Sequence, residues 1–230
     1  MKKVAVLRFP GTNCEFDTDY AFKKLGFDVS IVWHKDKTLP SCDLVVVPGG
    51  FSYGDYLRSG SIARFAPVME VVKEFANSGG YVLGICNGFQ ILTEARMLPG
   101  ALKRNNNLHF ISKFQHIKVV NNDNKFLNKC QKGEVLNIPV AHADGNYYID
   151  DKGLEELKKN NQILVRYCDK DGNPMVLNGS VEQIAGVCNK EKNVFGLMPH
   201  PERAIELALG SNDGIKMLEG FKDWNYLYCG

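Results

Sequence analysis

The sequence predicts an α/β protein, a mostly parallel central sheet with helices on both faces and an antiparallel β insertion around residues 101–150. Three observations lead there. Short, continuously apolar β-type runs alternate with helix-type stretches through the first hundred residues, several of these segments stop at glycines, and 44% of the 230 residues are hydrophobic while 23% are charged. Strands buried on both faces read as unbroken apolar runs, and alternating βα units supply the crossovers that parallel pairing needs. The length suits a single domain spanning 1–230, with a core large enough to stand without disulfides or metal.

Taken in order, KVAVLRF (3–9) reads as the first strand and CEFDTDYAFKKLG (14–26) as a helix that ends at Gly26. FDVSIVW (27–33) and DLVVVPGG (43–50) read as further strands. Residues 61–80 carry apolar side chains at helical spacing and end in a glycine stop, so a helix is expected there. YVLGI (81–85) is the next strand, with a helix from about Asn87 to Arg96. The asparagine-rich stretch 101–150 is punctuated by the turn signal NND and predicts antiparallel strands and loops added to the sheet. Strands return at 162–168, 181–189 and 194–200, and a last helix is expected from about Asp213 to Phe221.

The net charge of +2 gives no case for nucleic acid or an anionic membrane surface. Arg8 interrupts the apolar run Val4–Leu7 far short of the roughly 7–15 residues of a signal-peptide core. No segment approaches the ~20 apolar residues of a membrane span. A cytoplasmic protein with reduced thiols is therefore expected. The seven cysteines (Cys14, Cys42, Cys86, Cys130, Cys168, Cys188 and Cys229) show no CxxC spacing, so neither a disulfide framework nor a metal site is expected and most should be inert packing residues.

Cys86 stands apart. Gly84-Ile85-Cys86-Asn87-Gly88 is G-x-C-x-G at a strand-to-helix junction, the thiol counterpart of the serine nucleophile elbow. A sharp turn there strains the central residue and requires small residues two positions away. It places the side chain at the carboxyl end of the sheet, and the helix dipole favours thiolate. The backbone N–H of Asn87 can point at an oxyanion formed on a carbonyl that Cys86 attacks.

A thiol nucleophile needs a base. His200, in FGLMPHPER, lies between Pro199 and Pro201, which end the strand and restrict the backbone around it. Glu202 follows two residues on and, in an extended segment, shares a side with His200, where it can orient one ring nitrogen. Of the other histidines, His34 and His109 read as exposed polar residues and His116 as structural. His142, in PVAHADGNYY, is open between ligand contact and a plain loop position. Gly49 and Gly50 leave a buried strand in a Pro-Gly-Gly loop whose backbone donors can approach a ligand closely, as an oxyanion hole requires. No Walker A motif occurs, so no ATP site of its own is expected.

The order PGG…GICNGFQ…PHPE resembles class I glutamine amidotransferases. More narrowly, RFPGTNCE, PGGFSYGDYLRSGSIA, GICNGFQIL, LPGALKRNNNLHF, PVAHADGNYY and MPHPERA resemble the family of glutaminase subunits of phosphoribosylformylglycinamidine synthase, from Arg8 to Ala204. The resemblance implies a flavodoxin-like fold and a Cys86-His200-Glu202 triad that hydrolyses L-glutamine. Gly49, Gly50, Asn87, Gln90 and His142 are carried as oxyanion or substrate contacts. It also implies a separate synthetase subunit that holds ATP and Mg2+, uses the ammonia to aminate formylglycinamide ribonucleotide in purine synthesis, and works with a small third subunit. No cofactor is expected in this chain.

The chain reads His142-Ala143-Asp144-Gly145 where the family is associated with His-Gly-Glu-Gly, so no role passes to Asp144. FSYGDYLRSG exceeds what an oxyanion loop needs, which makes Asp55 and Arg58 candidates for substrate or partner contact. Cys14, inside a matching motif but with no base nearby in sequence, reads as structural. Two rivals stay open at this level: a cysteine hydrolase of the PfpI type, and a non-catalytic subunit that keeps the fold.

Overall fold

The computed structural model describes residues 1–222; Cys229, expected to be an inert packing residue, lies outside them. Eleven strands and five α-helices are present among the described residues. They run β1 (Lys3–Arg8), α1 (Glu15–Lys24), β2 (Asp28–Trp33), β3 (Leu44–Val47), α2 (Pro67–Asn77), β4 (Tyr81–Ile85), α3 (Asn87–Glu94), β5 (Ala101–Lys103), β6 (Ile111–Val119), β7 (Val135–His142), β8 (Asn146–Tyr148), α4 (Asp151–Lys159), β9 (Ile163–Tyr167), β10 (Ile184–Cys188), β11 (Val194–Leu197) and α5 (Gly214–Glu219).

Nine strands form one mixed sheet in the order β2-β1-β3-β4-β11-β10-β9-β6-β7. The first five are mutually parallel and the remaining pairings are antiparallel. The apolar runs sit in the middle of this sheet. Every residue of β3 and β11 is buried, as are Val4–Leu7 of β1 and Val82–Ile85 of β4. Winding reverses at β1: the chain leaves it for β2 on one side, while β3 leads to β4 on the other. With right-handed crossovers, α1 and α2 lie on opposite faces, and a crevice opens at the carboxyl ends of β1 and β3.

Three sequence expectations change. The helix expected over 61–80 breaks into a 3-10 turn at Ala63–Phe65 and α2, because Pro67 lacks the N–H an ongoing helix would use and starts a new one instead. The 101–150 region is less an insertion than an extension of the sheet: β6 and β7 are its last two strands, and only β5 and β8 pair separately. Finally, residues 151–159, for which the sequence predicts no element, form α4. Asp150 caps it by accepting from the Gly153 N–H at 2.7 Å, and it buries only Leu157. No helix among the described residues is long and apolar enough to cross a membrane.

Candidate active site

Three neighbouring parallel strands, β3, β4 and β11, deliver Gly49, Cys86 and His200 from the same end of the sheet. Cys86 follows β4 with φ 50° and ψ −106°, a conformation that L-residues avoid. Its N–H donates to the Leu197 carbonyl at 2.8 Å, which locks the elbow to β11. The flanking glycines are steric necessities. A Cβ on Gly88 would lie 1.8 Å from the Val47 carbonyl oxygen, and one on Gly84 would lie 2.8 Å from the Gly88 backbone. Cys86 is buried rather than projecting into solvent, and its Sγ points at the Ala141 carbonyl oxygen of β7, 3.5 Å away.

His200 and Glu202 are both 2% exposed. His200 Nδ1 and Glu202 Oε1 are 2.6 Å apart, while His200 Nε2 and Glu202 Oε2 are buried without a hydrogen bond. The expected extended geometry is not what joins them. Residues 201–203 form a 3-10 turn because Pro201 fixes the first φ, and that tight turn swings Glu202 back under the ring. Burial alone would depress the His200 pKa, but the Glu202 carboxylate and the thiols of Cys86 and Cys14 outweigh it and hold the value well above that of ordinary histidine. The pair is therefore a held imidazole with one nitrogen committed to the carboxylate and the other available.

Gly49 sits among these groups. A Cβ there would meet His200 Cε1 at 2.8 Å, Cys14 Sγ at 3.0 Å and Cys86 Cβ at 3.5 Å. Gly50, at φ 146°, is packed against the 11–13 turn, where a Cβ would meet Asn13 N at 2.7 Å. Asn87 has a side-chain role beside its backbone one. Its Oδ1 accepts from the Ser52 N–H at 3.1 Å and its Nδ2 donates to Gln90 Oε1 at 2.9 Å, so α3 grips the loop after Gly50. As the first residue of α3, its N–H has no intrahelical acceptor.

Gln90 Nε2 donates to the Asp144 carbonyl oxygen at 2.8 Å, and Asp144 Oδ2 accepts from Ser59 Oγ at 2.8 Å. Asp55 is half-buried beside this group, with Asn87 Nδ2 3.5 Å from its Oδ1. Burial pushes its carboxyl up to about 6, the Ser59 hydrogen bond opposing and the Asp144 charge adding to the rise. Arg58 is engaged elsewhere: exposed, it forks onto Glu94 of α3 at 2.6 and 2.7 Å.

His142 is buried, and Asn105 holds it by accepting from Nδ1 at 3.2 Å. Burial, then the charge of nearby His200, lowers its pKa to about 4, which keeps the ring neutral. A Cβ on Gly145 would strike this ring, 2.3 Å from Nδ1, which accounts for the glycine after Asp144.

Two histidine and cysteine readings are corrected. His34 is buried, not exposed, with its Nδ1 2.6 Å from the Tyr53 hydroxyl, because the loop after Gly50 folds back over the end of β2. Cys14 does have a base beside it. Its sulfur and single ligand atoms of His200 and Glu202 all lie within 4.8 Å of one another. Sequence reasoning also passed over Asn105, Tyr167 and Arg203. Asn105 sits in an asparagine run that carried no pattern of its own. Tyr167 is fully buried, its hydroxyl without a hydrogen bond, and burial pushes its pKa up. Arg203 was visible as the residue after PHPE, and its contacts were not.

The chain matches the model of the CobB/CobQ-like glutamine amidotransferase domain over residues 1–228. It is 66% identical over 220 residues to the phosphoribosylformylglycinamidine synthase subunit PurQ of Sulfurimonas denitrificans, covering 95% of this chain and 98% of that protein. It is also 66% identical over 218 residues to the subunit of the same name from Wolinella succinogenes, covering 94% and 98%. Among solved structures, one chain of the PurLQS structure from Thermotoga maritima superposes with a TM-score of 0.86 at 42% identity, covering 96% of this chain and 98% of that one.

Proposed function

The chain belongs to the CobB/CobQ-like glutamine amidotransferase family, and from that we propose a catalytic route through the residues just described. It is the glutaminase subunit of phosphoribosylformylglycinamidine synthase, an enzyme of purine biosynthesis, and works as a glutamine amidotransferase within that complex. The observation that carries the route is the buried His200–Glu202 pair at 2.6 Å, with Nε2 unpaired near a thiol on a strained elbow.

In this reading Cys86 Sγ attacks the side-chain amide carbon of L-glutamine as Nε2 takes the thiol proton. The C–N bond breaks, Nε2 passes the proton to the departing nitrogen, and ammonia leaves a glutamyl thioester. Water then attacks the thioester with Nε2 as base. The C–S bond breaks, glutamate departs, and the proton returns to sulfur. Glu202 keeps Nδ1 protonated throughout, which fixes the tautomer and stabilises the imidazolium. Backbone N–H groups of Gly49, Gly50 and Asn87 receive the tetrahedral oxyanion. Gln90, His142 and half-buried Asp55 line the polar side of the substrate's place. Ammonia passes to a synthetase subunit that holds ATP and Mg2+, with a small third subunit in the complex, and the assembly works in the cytoplasm.

Cys86→Ala in the complete complex should lower glutamine-dependent synthesis by at least about 10³-fold and leave ammonia-dependent synthesis within about twofold. A diazo-ketone glutamine analogue should label Cys86 in the unmodified protein. Undiminished glutamate release from the Cys86→Ala complex would refute the route.

A further inference from the structure

The motif FPGTNCE carries a cysteine, Cys14, that the route above leaves unused. Its thiol is 2% exposed, begins α1 and is fixed from several directions. The Cys14 N–H donates to the Gly49 carbonyl at 3.2 Å, and the Cys14 carbonyl accepts from Thr18 Oγ1 at 2.8 Å. Arg203 Nη2 donates to Cys14 Sγ at 3.2 Å, and the same guanidinium binds Asp17 Oδ2 through Nε and Nη2 at 3.0 and 2.9 Å. The sulfur is 3.1 Å from Asn13 Oδ1. Two backbones, the start of α1 and the Pro-Gly-Gly loop, thus place one sulfur against the His200 ring.

Resting on the function proposed above, we propose that Cys14 is a positioning residue: its backbone is tied to the Gly49 carbonyl, and its sulfur, held by Arg203 and Asn13, keeps the His200 imidazole between Glu202 and Cys86. The ring needs such a wall. Its edge at Cε1 faces Gly49, which has no side chain, and Glu202 fixes only Nδ1, so the Cys14 sulfur supplies the side-chain packing there. Misplacement of a base by about 1 Å is enough to lose about 100-fold in rate.

The charged and titratable groups facing His200 are Glu202 on its own turn, Cys86 from β4, Cys14 from the start of α1 and His142 from β7, with Arg203 acting on Cys14 and Glu202. Cys14 is the one among them whose sulfur an arginine clamps. The cluster does not read as a metal site: Nδ1 is already bonded to the carboxylate, and the Arg203 cation occupies the sulfur.

Assays use the complete complex carrying Cys14→Ala, Cys14→Ser or Arg203→Met, with Cys86→Ala alongside. Cys14→Ala should lower glutamine-dependent kcat by about 10- to 100-fold with KM within about twofold. Because the Cys14 contact raises the proton affinity of His200, the acid limb of the kcat/KM profile should move to lower pH. Cys14→Ser, which keeps a polar atom at the position, should restore kcat to within about fivefold of the parent protein. Arg203→Met should show the same kcat loss, and it decides the matter if Cys14→Ala does not assemble. Unchanged kcat and pH profile, or equal losses in Cys14→Ala and Cys14→Ser, would overturn the inference. Full turnover in Cys86→Ala would instead remove the route on which it rests.

Discussion

Cys86 bears its strain because the surrounding backbone leaves no other path. The Val47 carbonyl presses on Gly88 and the Gly88 backbone presses on Gly84, so the turn admits hydrogen and nothing larger at either place. Gly88→Ala should therefore destabilise the protein by about 3 kcal/mol or more, read as a large fall in the urea midpoint. His142 makes a second prediction at this scale. Its folded pKa of about 4 lies below the ordinary histidine value of 6.5, so between these the unfolded chain binds a proton that the folded chain refuses. Stability should rise with pH across that window, by at most about 3 kcal/mol for this one group, and be fully present above it. Urea unfolding at pH 4.5 and 7 should show this difference shrinking in His142→Asn; an unaltered slope would assign the effect to other groups. That Cys86, His200 and Glu202 come together was legible from motif and order, because glycine spacing and proline brackets record backbone demands directly. The location of Cys14 was not. Nothing local to FPGTNCE records that β11 ends beside it, since that proximity is a property of strand order.

Elements were legible where burial imposes a pattern and illegible where it does not. The parallel strands announce themselves because both their faces are covered, and their observed bounds differ from the expected ones by only a few residues. The amphipathic run at 61–80 has the right spacing for one helix, yet a single missing N–H at Pro67 divides it. Spacing reports which side faces the core, and it is silent on whether the hydrogen-bond ladder is continuous. The same reasoning explains why α4 escaped notice. Eight of its nine residues are less than fully buried, so its sequence carries little apolar signal and its start depends on a cap. Asp150→Ala should accordingly cost about 1 kcal/mol in stability, measured by urea unfolding, and leave glutamine turnover unchanged. A loss of turnover in that variant would mean that α4 reaches the site by a route its position does not suggest.

At the scale of the whole molecule, the site is built from both halves of the sheet. The parallel half supplies the thiol, the imidazole and the Gly49-Gly50 loop from adjacent strand ends. The antiparallel half returns over them: β7 offers the Ala141 carbonyl to Cys86 and the Pro139 carbonyl to the His200 N–H at 2.8 Å. Strand order places β7 five positions from β4. In a flat sheet that is about 24 Å at the usual strand spacing, so a contact of 3.5 Å requires the sheet to coil back on itself. No run of residues in the sequence announces that curl. The Leu197 carbonyl that takes the Cys86 N–H, the Ala141 carbonyl facing its sulfur and the His200 ring all belong to residues later in the chain than Cys86, so the elbow is locked only once β7 and β11 have joined the sheet. The sulfur is thus encoded early and enclosed late: a chain that stops short of β11 carries Cys86 without the base proposed for it.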